Sequence, residues 1–350
     1  MVGDNITRLM EIIGFPQSKV ELVENAREDY LLNFLPLAIE NKVPLFFLER
    51  AVTICKGSKI LEAHHETYIK RARSFFDLLN RISGLLTKVE TNFVVFKTFR
   101  PFPFVTVDLD ILFFTREEFL RAYHELRQFY TLAGYGPYSI SLYSPKHDII
   151  LDLHLEISVS RMVYVNKQLL RRFVTEFPVN GNQTYSLELP AALATVVAHS
   201  LYKEQMLTLS DYYTTLTQIL QMTPYERRIL ADLAEQLNIG LSVNLVLRLV
   251  DFITKIVFKK SASVISETAE MIEIDEVEEK AIQIAVNQFV QRTKLPLKYH
   301  PFSVALAFMK KAFKDPLLRA TLGNQFFDVI TNRSGFLESA LLHARRTAYF

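Results

Sequence analysis

The sequence has little cysteine: Cys55 is the only one in 350 residues. A single cysteine excludes an intramolecular disulfide and a cysteine-ligated metal cluster. Long apolar runs are also lacking, since stretches such as LPLAI and VPLFFL fall far short of the roughly 20 residues that cross a bilayer. The segment MVGDNITRLMEIIGF carries Asp4, Arg8 and Glu11 and lacks the basic start and unbroken apolar run of a signal peptide. We therefore expect a soluble, cytoplasmic protein with no membrane partner.

The hydrophobic pattern divides the chain into three regions. Residues 1–90 and 188–350 have the spacing of amphipathic helices, whereas residues 91–187 contain strand-like runs rich in β-branched and aromatic residues. Within that middle region, Thr115 and Glu118 form a capping-box pattern, which predicts a helix that runs from there to Gly134. The order of elements predicts an α+β fold, with a small mixed β-sheet that has helices on one side and is flanked by N-terminal and C-terminal helical regions.

Charged residues interrupt the apolar strands of the middle region. Lys97 follows the apolar run of NFVVFKTF, and Asp108 and Asp110 lie inside VTVDLDILFF. The segment HDIILDLHLEIS alternates between polar and apolar residues, which predicts one core face and one polar face that carries Asp152 and His154. The alternative interpretation is that these carboxylates lie at a solvent-exposed edge of the sheet and have no function, and the sequence leaves it open.

Asp108 and Asp110 are two residues apart, and on a strand such residues share a face. Two carboxylates on one face can converge on a divalent cation, and Mg²⁺ prefers carboxylate oxygens. A third carboxylate on a neighbouring strand would complete a two-metal site. Asp152 is the natural candidate, because it lies on the predicted polar face of its own strand. We therefore predict Asp108, Asp110 and Asp152 as metal ligands and catalytic residues.

This array of elements resembles the nucleotidyltransferase superfamily, the polymerase-beta-like fold, and in particular its uncharacterised archaeal and bacterial members. Lys97–Thr98 takes the place of the family's first element, Asp108-Leu109-Asp110 that of its Asp-x-Asp pair, and Asp152 that of its third carboxylate. His199 and Asp211 resemble a His and an Asp of a following helical region. The resemblance implies a nucleotidyltransferase core and Mg²⁺-dependent transfer of a nucleotidyl group from an NTP to an unidentified acceptor: RNA, protein or a small molecule.

One feature departs from the family pattern, because no glycine occurs between Gly84 and Gly134. Glycine lets a backbone approach phosphates and expose its amides to them. Its absence argues for an altered or lost nucleotide pocket. The Thr98 hydroxyl and the charges of Lys97 and Arg100 remain as the predicted nucleotide-binding groups. His154 and Glu156 share a face with Asp152, and they could line the site or only cover the sheet.

A second interpretation is a catalytically impaired scaffold that binds RNA or a ribonucleoprotein such as the ribosome. Residues 290–350 contain ten Lys or Arg and three Asp or Glu. The predicted RNA contacts in this basic tail are Lys310, Lys311, Lys314, Arg345 and Arg346. The acidic segment 266–280 could pair with this tail, either within one chain or between the subunits of a homo-oligomer.

Overall fold

The computed structural model describes residues 2–16, 26–179, 182–260 and 262–331. The chain has a mixed α+β fold, in which a seven-stranded sheet lies between helices. The N-terminal helices are α1 (Val2–Ile13), α2 (Glu28–Leu32), α3 (Leu35–Glu40), α4 (Pro44–Ile54) and α5 (Lys59–Lys88). Helix α5 begins where the Ser58 side chain accepts a hydrogen bond from the N–H of Leu61.

The middle region holds most of the strands. Its elements are β1 (Val94–Val95), β2 (Asp108–Leu112), α6 (Arg116–Leu126), β3 (Thr131–Tyr135), β4 (Ser139–Ser144), β5 (Ile149–His154), β6 (Ile157–Val159), β7 (Met162–Val165), α7 (Lys167–Leu170), a 3₁₀ turn (Arg171–Phe173), β8 (Val174–Val179) and β9 (Asn182–Leu187). The large sheet has the order β3-β4-β5-β2-β1-β9-β8, and β6 pairs with β7 in a separate hairpin. The pair β2–β5 and the pair β1–β9 are parallel, and the other neighbours are antiparallel.

Helices follow the sheet to the end of the described residues. After α8 (Leu189–His199) the chain makes a π-helical turn (Ser200–Glu204). The remaining elements are β10 (Met206–Leu207), α9 (Leu209–Gln221), α10 (Pro224–Gln236), α11 (Gly240–Phe258), α12 (Ser263–Glu270), α13 (Glu276–Arg292), β11 (Leu297–Lys298), α14 (Pro301–Lys314) and α15 (Pro316–Thr331). Within the ranges that the structure describes, no helix has the length and apolarity needed to cross a bilayer.

The sheet is covered on both faces. Leu109 and Ile111 of β2 pack into a core with α5 and α6, whereas Leu112 packs into a second core formed with the N-terminal and C-terminal helices. This division follows from strand geometry, because successive side chains point to opposite faces. The expectation that helices cover only one side of the sheet is therefore wrong. Asp108 and Asp110 have the parity of Leu112, so they face the second core.

The predicted helix after β2 is shorter than the sequence indicates. Its start is confirmed, because Thr115 and Glu118 form the capping box at the first turn of α6. The helix ends at Leu126, however, and Gly134 lies in β3 and not at a helix terminus. The residues 131–135 form an edge strand instead, because their backbone pairs with β4 from Tyr143 to Ile140.

Candidate functional site

The three predicted carboxylates lie on two adjacent strands at the centre of the sheet. Asp108 and Asp110 are on β2 and Asp152 is on β5. In the parallel pairing of these strands, Asp110 lies directly opposite Asp152. The alternation of each strand predicts that these carboxylates lie on its polar face. Asp108 lies one pleat earlier, opposite Ile150, and so it takes a different place in the cluster.

Asp110 is the most enclosed of these carboxylates, with 3% of the residue exposed. Its Oδ1 lies 2.9 Å from Nζ of Lys97 and 2.9 Å from Nε2 of His154. Burial would raise the pKa of the Asp110 carboxyl, but the Lys97 ammonium and the hydrogen bond with His154 hold it below its ordinary value. Asp110 therefore stays ionised, and Lys97 is its counter-ion.

Asp110, Asp152 and His154 form a group that could hold a metal ion. Each offers one ligand atom, and these atoms lie within 4.8 Å of one another. The hydroxyl of Ser141, on β4, donates a hydrogen bond to Oδ1 of Asp152 and orients that carboxylate. His154 is buried, and its ring contacts Phe96 edge-on at 5.2 Å. Of the two interpretations that the sequence left open for His154, the structure places it beside the carboxylates.

Asp108 lies next to this group but is not part of it. Its Oδ1 accepts a hydrogen bond of 2.7 Å from the hydroxyl of Thr106. Burial, followed by the negative charge of Asp110, raises the pKa of Asp108 above its ordinary value. The Asp-x-Asp pair is therefore asymmetric: one carboxylate is held ionised by a lysine, and the other is biased toward its neutral form.

The three predicted nucleotide-binding residues have different surroundings. Lys97 faces the carboxylates. The hydroxyl of Thr98 is buried, where it donates to the carbonyl of Phe96 at 3.1 Å and accepts from the N–H of Asp110 at 3.3 Å. The hydroxyl thus bonds to the backbone and is not directed at open space. Arg100 turns away toward α9, where its guanidinium donates to Thr214 at 3.4 Å.

His199 and Asp211 have different partners. Asp211 caps α9, where its carboxylate accepts from the N–H of Thr208, and it lies 3.9 Å from the Arg100 guanidinium. His199 ends α8, and its Nδ1 lies 3.1 Å from the hydroxyl of Tyr164. Its Nε2 lies 3.1 Å from Oε1 of Glu204. The capping role of Asp211 is therefore structural, whereas His199 belongs to a buried network.

The protonation of that network follows from its surroundings. Burial, with the positive charge of Lys97, lowers the pKa of His199 to about 3. The imidazole is therefore neutral at pH 7, and its Nε2–H donates to Glu204. Burial raises the pKa of Tyr164, so that its phenol stays protonated and donates to Nδ1. His199 is thus held in one tautomer by a donor on one side and an acceptor on the other.

Sequence reasoning missed Tyr164, Lys203 and Glu204. His199 and Glu204 are five residues apart, and an α-helix would not align them. The π-helical turn, with its i→i+5 pattern, brings the two side chains together. The same turn carries Lys203, whose charge interacts with those of Lys97, Asp110 and Asp152. The sequence gives no signal for a π-turn, so this part of the site was not predictable.

Glu156 lies at the end of the polar face, beyond β5. Its carboxylate pairs with Nζ of Lys167 at 3.1 Å. Lys167 is buried and also donates to the carbonyls of Phe113, at 3.2 Å, and Leu155. Glu156 thus neutralises a lysine that ties two strand ends together. Of its two interpretations, the structure favours the one outside the site.

The basic tail offers fewer free charges than the sequence suggests. Lys311 is 1% exposed, and its ammonium donates to the carbonyl of Leu237 and to Asp315. A buried ammonium cannot contact RNA, so the prediction of Lys311 as an RNA contact is wrong. Lys310 pairs with Asp275 and with Glu278, so the acidic segment does bind the basic tail within one chain. Lys314 is exposed, and Arg345 and Arg346 lie outside the described residues.

The chemistry of the site is that of a small, ionised cluster between the sheet and the turn after α8. Two carboxylates and an imidazole converge, one lysine neutralises a carboxylate, and a second lysine lies close by. Comparison of the chain with models of protein families, with curated proteins and with solved structures finds no match. Function is therefore inferred from the geometry of the site.

Proposed function

We propose that the protein transfers a nucleotidyl group from an NTP to an acceptor, with a divalent cation held by Asp110 and Asp152. One observation carries the proposal: Asp110 lies directly opposite Asp152 in the parallel pair β2–β5, and a ring nitrogen of His154 lies within 4.8 Å of a carboxylate oxygen of each. Asp108, two residues before Asp110, adds a third carboxylate on the same face. Carboxylates on neighbouring strands suit the charge neutralisation that phosphoryl chemistry needs. A cytoplasmic location, where NTPs are abundant, is part of the proposal.

The donor set fits a divalent cation. Its two carboxylates suit Mg²⁺, which prefers oxygen ligands. His154 can act in one of two ways. Its Nε2 can hold the Asp110 oxygen in place for Mg²⁺, or it can bind directly an ion softer than Mg²⁺, such as Mn²⁺ or Zn²⁺. When bound, the cation would supply positive charge to the α-phosphate and to the departing pyrophosphate. Asp110 and Asp152 would hold it, with Nε2 of His154 positioning the Asp110 oxygen, and Mg²⁺ is the ion that we propose.

The residues of the chain have distinct roles in the proposed reaction. The acceptor hydroxyl forms a bond with the α-phosphorus, and the bond from the α-phosphorus to the bridging oxygen breaks, so that pyrophosphate leaves with the electron pair. Asp152 takes the proton of the acceptor hydroxyl, since it is half-buried and only Ser141 donates to it among the described side chains. The ammonium of Lys97 is paired with the Asp110 oxygen that would hold the cation, so the two positive charges would compete for that oxygen.

The alternative of an RNA-binding scaffold has one observation in its favour. Lys97 already neutralises Asp110, and the Thr98 hydroxyl bonds to the backbone, so the site is stable without a nucleotide. Against it, the burial of Lys311 and the pairing of Lys310 remove two of the predicted RNA contacts. We therefore rank the transferase first.

Transfer of label tests the proposal. The protein is incubated with Mg²⁺, each α-³²P-labelled NTP in turn, and total RNA, protein extract or small-molecule extract as acceptor. We expect label to enter one acceptor pool with the wild type and with Asp232→Asn, which removes an exposed carboxylate on α10. Asp110→Asn and Asp152→Asn should abolish it. Equal labelling by the wild type and by Asp110→Asn would refute the proposed reaction.

A further inference from the structure

The proposed reaction gives no role to Lys203, a cation whose charge interacts with those of Asp110 and Asp152. It lies in the π-helical turn Ser200–Glu204, which packs against β6. The side chain is half-buried, and its ammonium makes neither a hydrogen bond nor an ion pair with any residue in the described ranges. A partly buried ammonium that makes no direct hydrogen bond or ion pair is costly, because it has lost contact with water without a direct partner in exchange.

The ammonium of Lys97, unlike that of Lys203, has an ion-pair partner, since it lies 2.9 Å from Oδ1 of Asp110. The positive charge of Lys97, together with burial, lowers the pKa of Lys203. The two lysines therefore repel each other across the site. The negative charges of Asp152 and Glu204 attract Lys203, but neither residue forms an ion pair with it. An anion bound near both lysines would relieve this repulsion.

The usual means of binding phosphates are absent from the loop between β1 and β2. No glycine occurs there to present backbone amides. The Thr98 hydroxyl bonds to the backbone on both sides, and Arg100 is directed at α9. Lys97, in the same loop, is already paired with Asp110, so an unpaired cation for a phosphate at the carboxylates would have to come from another element. Lys203 is such a cation: its charge interacts with that of Asp110, and it forms no ion pair with the described residues.

We propose that Lys203 binds the phosphates of a polyphosphate substrate: it lies on the π-helical turn that packs against β6, the strand that follows the carboxylate strand β5, and its ammonium forms no ion pair with the described residues. This assignment rests on the proposed function, since it names the residue that holds the triphosphate of the NTP. A lysine serves a phosphate as a point charge with three donors, so it needs no fixed approach direction. The C-terminal helical region thereby completes a site that the sheet begins.

Calorimetric titration with inorganic tripolyphosphate, in Mg²⁺ buffer, tests this assignment on the full chain. The variants are Lys203→Met, which keeps length and removes charge, and Lys203→Arg, which keeps charge. Lys298→Met is the control, because Lys298 is an exposed lysine on β11. We expect one site in the wild type, a loss of affinity of roughly 10- to 100-fold in Lys203→Met, and wild-type affinity in Lys298→Met. Lys203→Arg should retain most of the binding.

Two results would overturn the assignment: no tripolyphosphate binding by the wild type, or equal binding by the wild type and Lys203→Met. Thermal unfolding accompanies each titration, and Lys203→Gln replaces Lys203→Met in the titration where the latter does not fold. The outcome is separable from that of the proposed function. A protein that binds tripolyphosphate through Lys203 and transfers no label would refute only the transfer. Label transfer that continues at full rate in Lys203→Met would refute only the assignment.

Discussion

The ammonium of Lys97 lies 2.9 Å from Oδ1 of Asp110, and the backbone of Lys97 is in the left-handed region with φ +50°. Left-handed backbone is unfavourable for a residue with a Cβ. Lys97 therefore occupies a position where glycine would have less backbone strain. Its side chain places a positive charge where a divalent cation would bind. This relationship accounts for the stability of the cluster without a cation, and it leads to the following predictions.

Removal of the Lys97 charge should destabilise the free protein and strengthen cation binding. Lys97→Met leaves Asp110 ionised and buried without its counter-ion, so the free energy of unfolding should fall by about 3–5 kcal/mol. Mg²⁺ or Mn²⁺ should restore more of the thermal midpoint in this variant than in the wild type, because the ammonium no longer competes for Oδ1. Differential scanning fluorimetry with and without the ion measures both effects. A variant that gains no more from the ion than the wild type would contradict the competition.

The backbone at Lys97 can be tested apart from its charge. Lys97→Gly and Lys97→Ala both remove the ammonium, but only glycine tolerates φ +50° without strain. Lys97→Gly should therefore be more stable than Lys97→Ala by about 1 kcal/mol. Urea unfolding of the two variants measures the difference. Equal stabilities, or a more stable alanine variant, would show that the backbone at this position is not strained.

His199 should make the protein sensitive to mild acid. Its pKa is about 3 in the folded protein, against about 6.5 in an unfolded chain. Between these values only the unfolded state binds the proton, so stability is fully present above pH 6.5 and falls as the pH decreases. From pH 7.5 to pH 5 the loss from this residue is about 2 kcal/mol.

Urea unfolding at pH 7.5, 6 and 5 measures this loss, and His199→Gln is the comparison. The variant should be less stable at pH 7.5, because it loses one of its two hydrogen bonds, and it should lose less stability toward pH 5. His147 also has a lowered pKa, from burial and from Lys146, and its contribution of the same sign remains in the variant. Parallel pH profiles for the two proteins would contradict the neutral, buried state of His199.

Lys311 should matter for folding, whereas Lys314 should not. The Lys311 ammonium is buried between the carbonyl of Leu237 and Asp315, and Asp315 also accepts from backbone N–H groups at the start of α15. Lys311→Met leaves Asp315 without its charge partner and should cost about 3 kcal/mol. Lys314→Met, on the exposed side of α14, should change stability by less than about 0.5 kcal/mol. Thermal unfolding compares them, and similar midpoints would refute the structural role of Lys311.

The strands at the centre of the sheet were predictable because their residues alternate. Leu109 and Ile111 on β2, with Leu151 and Leu153 on β5, all face one core. Their parity alone assigns Asp110 and Asp152 to the opposite face. The register of β2 against β5, which sets the two carboxylates side by side, depends on contacts between distant segments. Local sequence does not encode that register.

Other features depended on tertiary context. Residues 131–135 follow a helical pattern and become a strand only because β4 offers a partner. The ion pair of Lys97 requires the backbone to turn left-handed after β1, and the position of Lys203 requires a π-turn after α8. The local sequence after α8 predicts a continued α-helix instead of this π-turn. The site residues contributed by single strands were therefore predictable, and those contributed by irregular turns were not.

Calorimetry of Mg²⁺ with a non-hydrolysable NTP is the most direct test of the central claim, that the carboxylates of β2 and β5 form a cation-dependent nucleotide site. The wild type is compared with Asp108→Asn/Asp110→Asn and with the surface control Asp232→Asn. We predict nucleotide binding that requires Mg²⁺ in the wild type and in the control, and its loss in the double variant. Absence of binding in all three proteins would contradict the claim, and so would binding that the double variant retains.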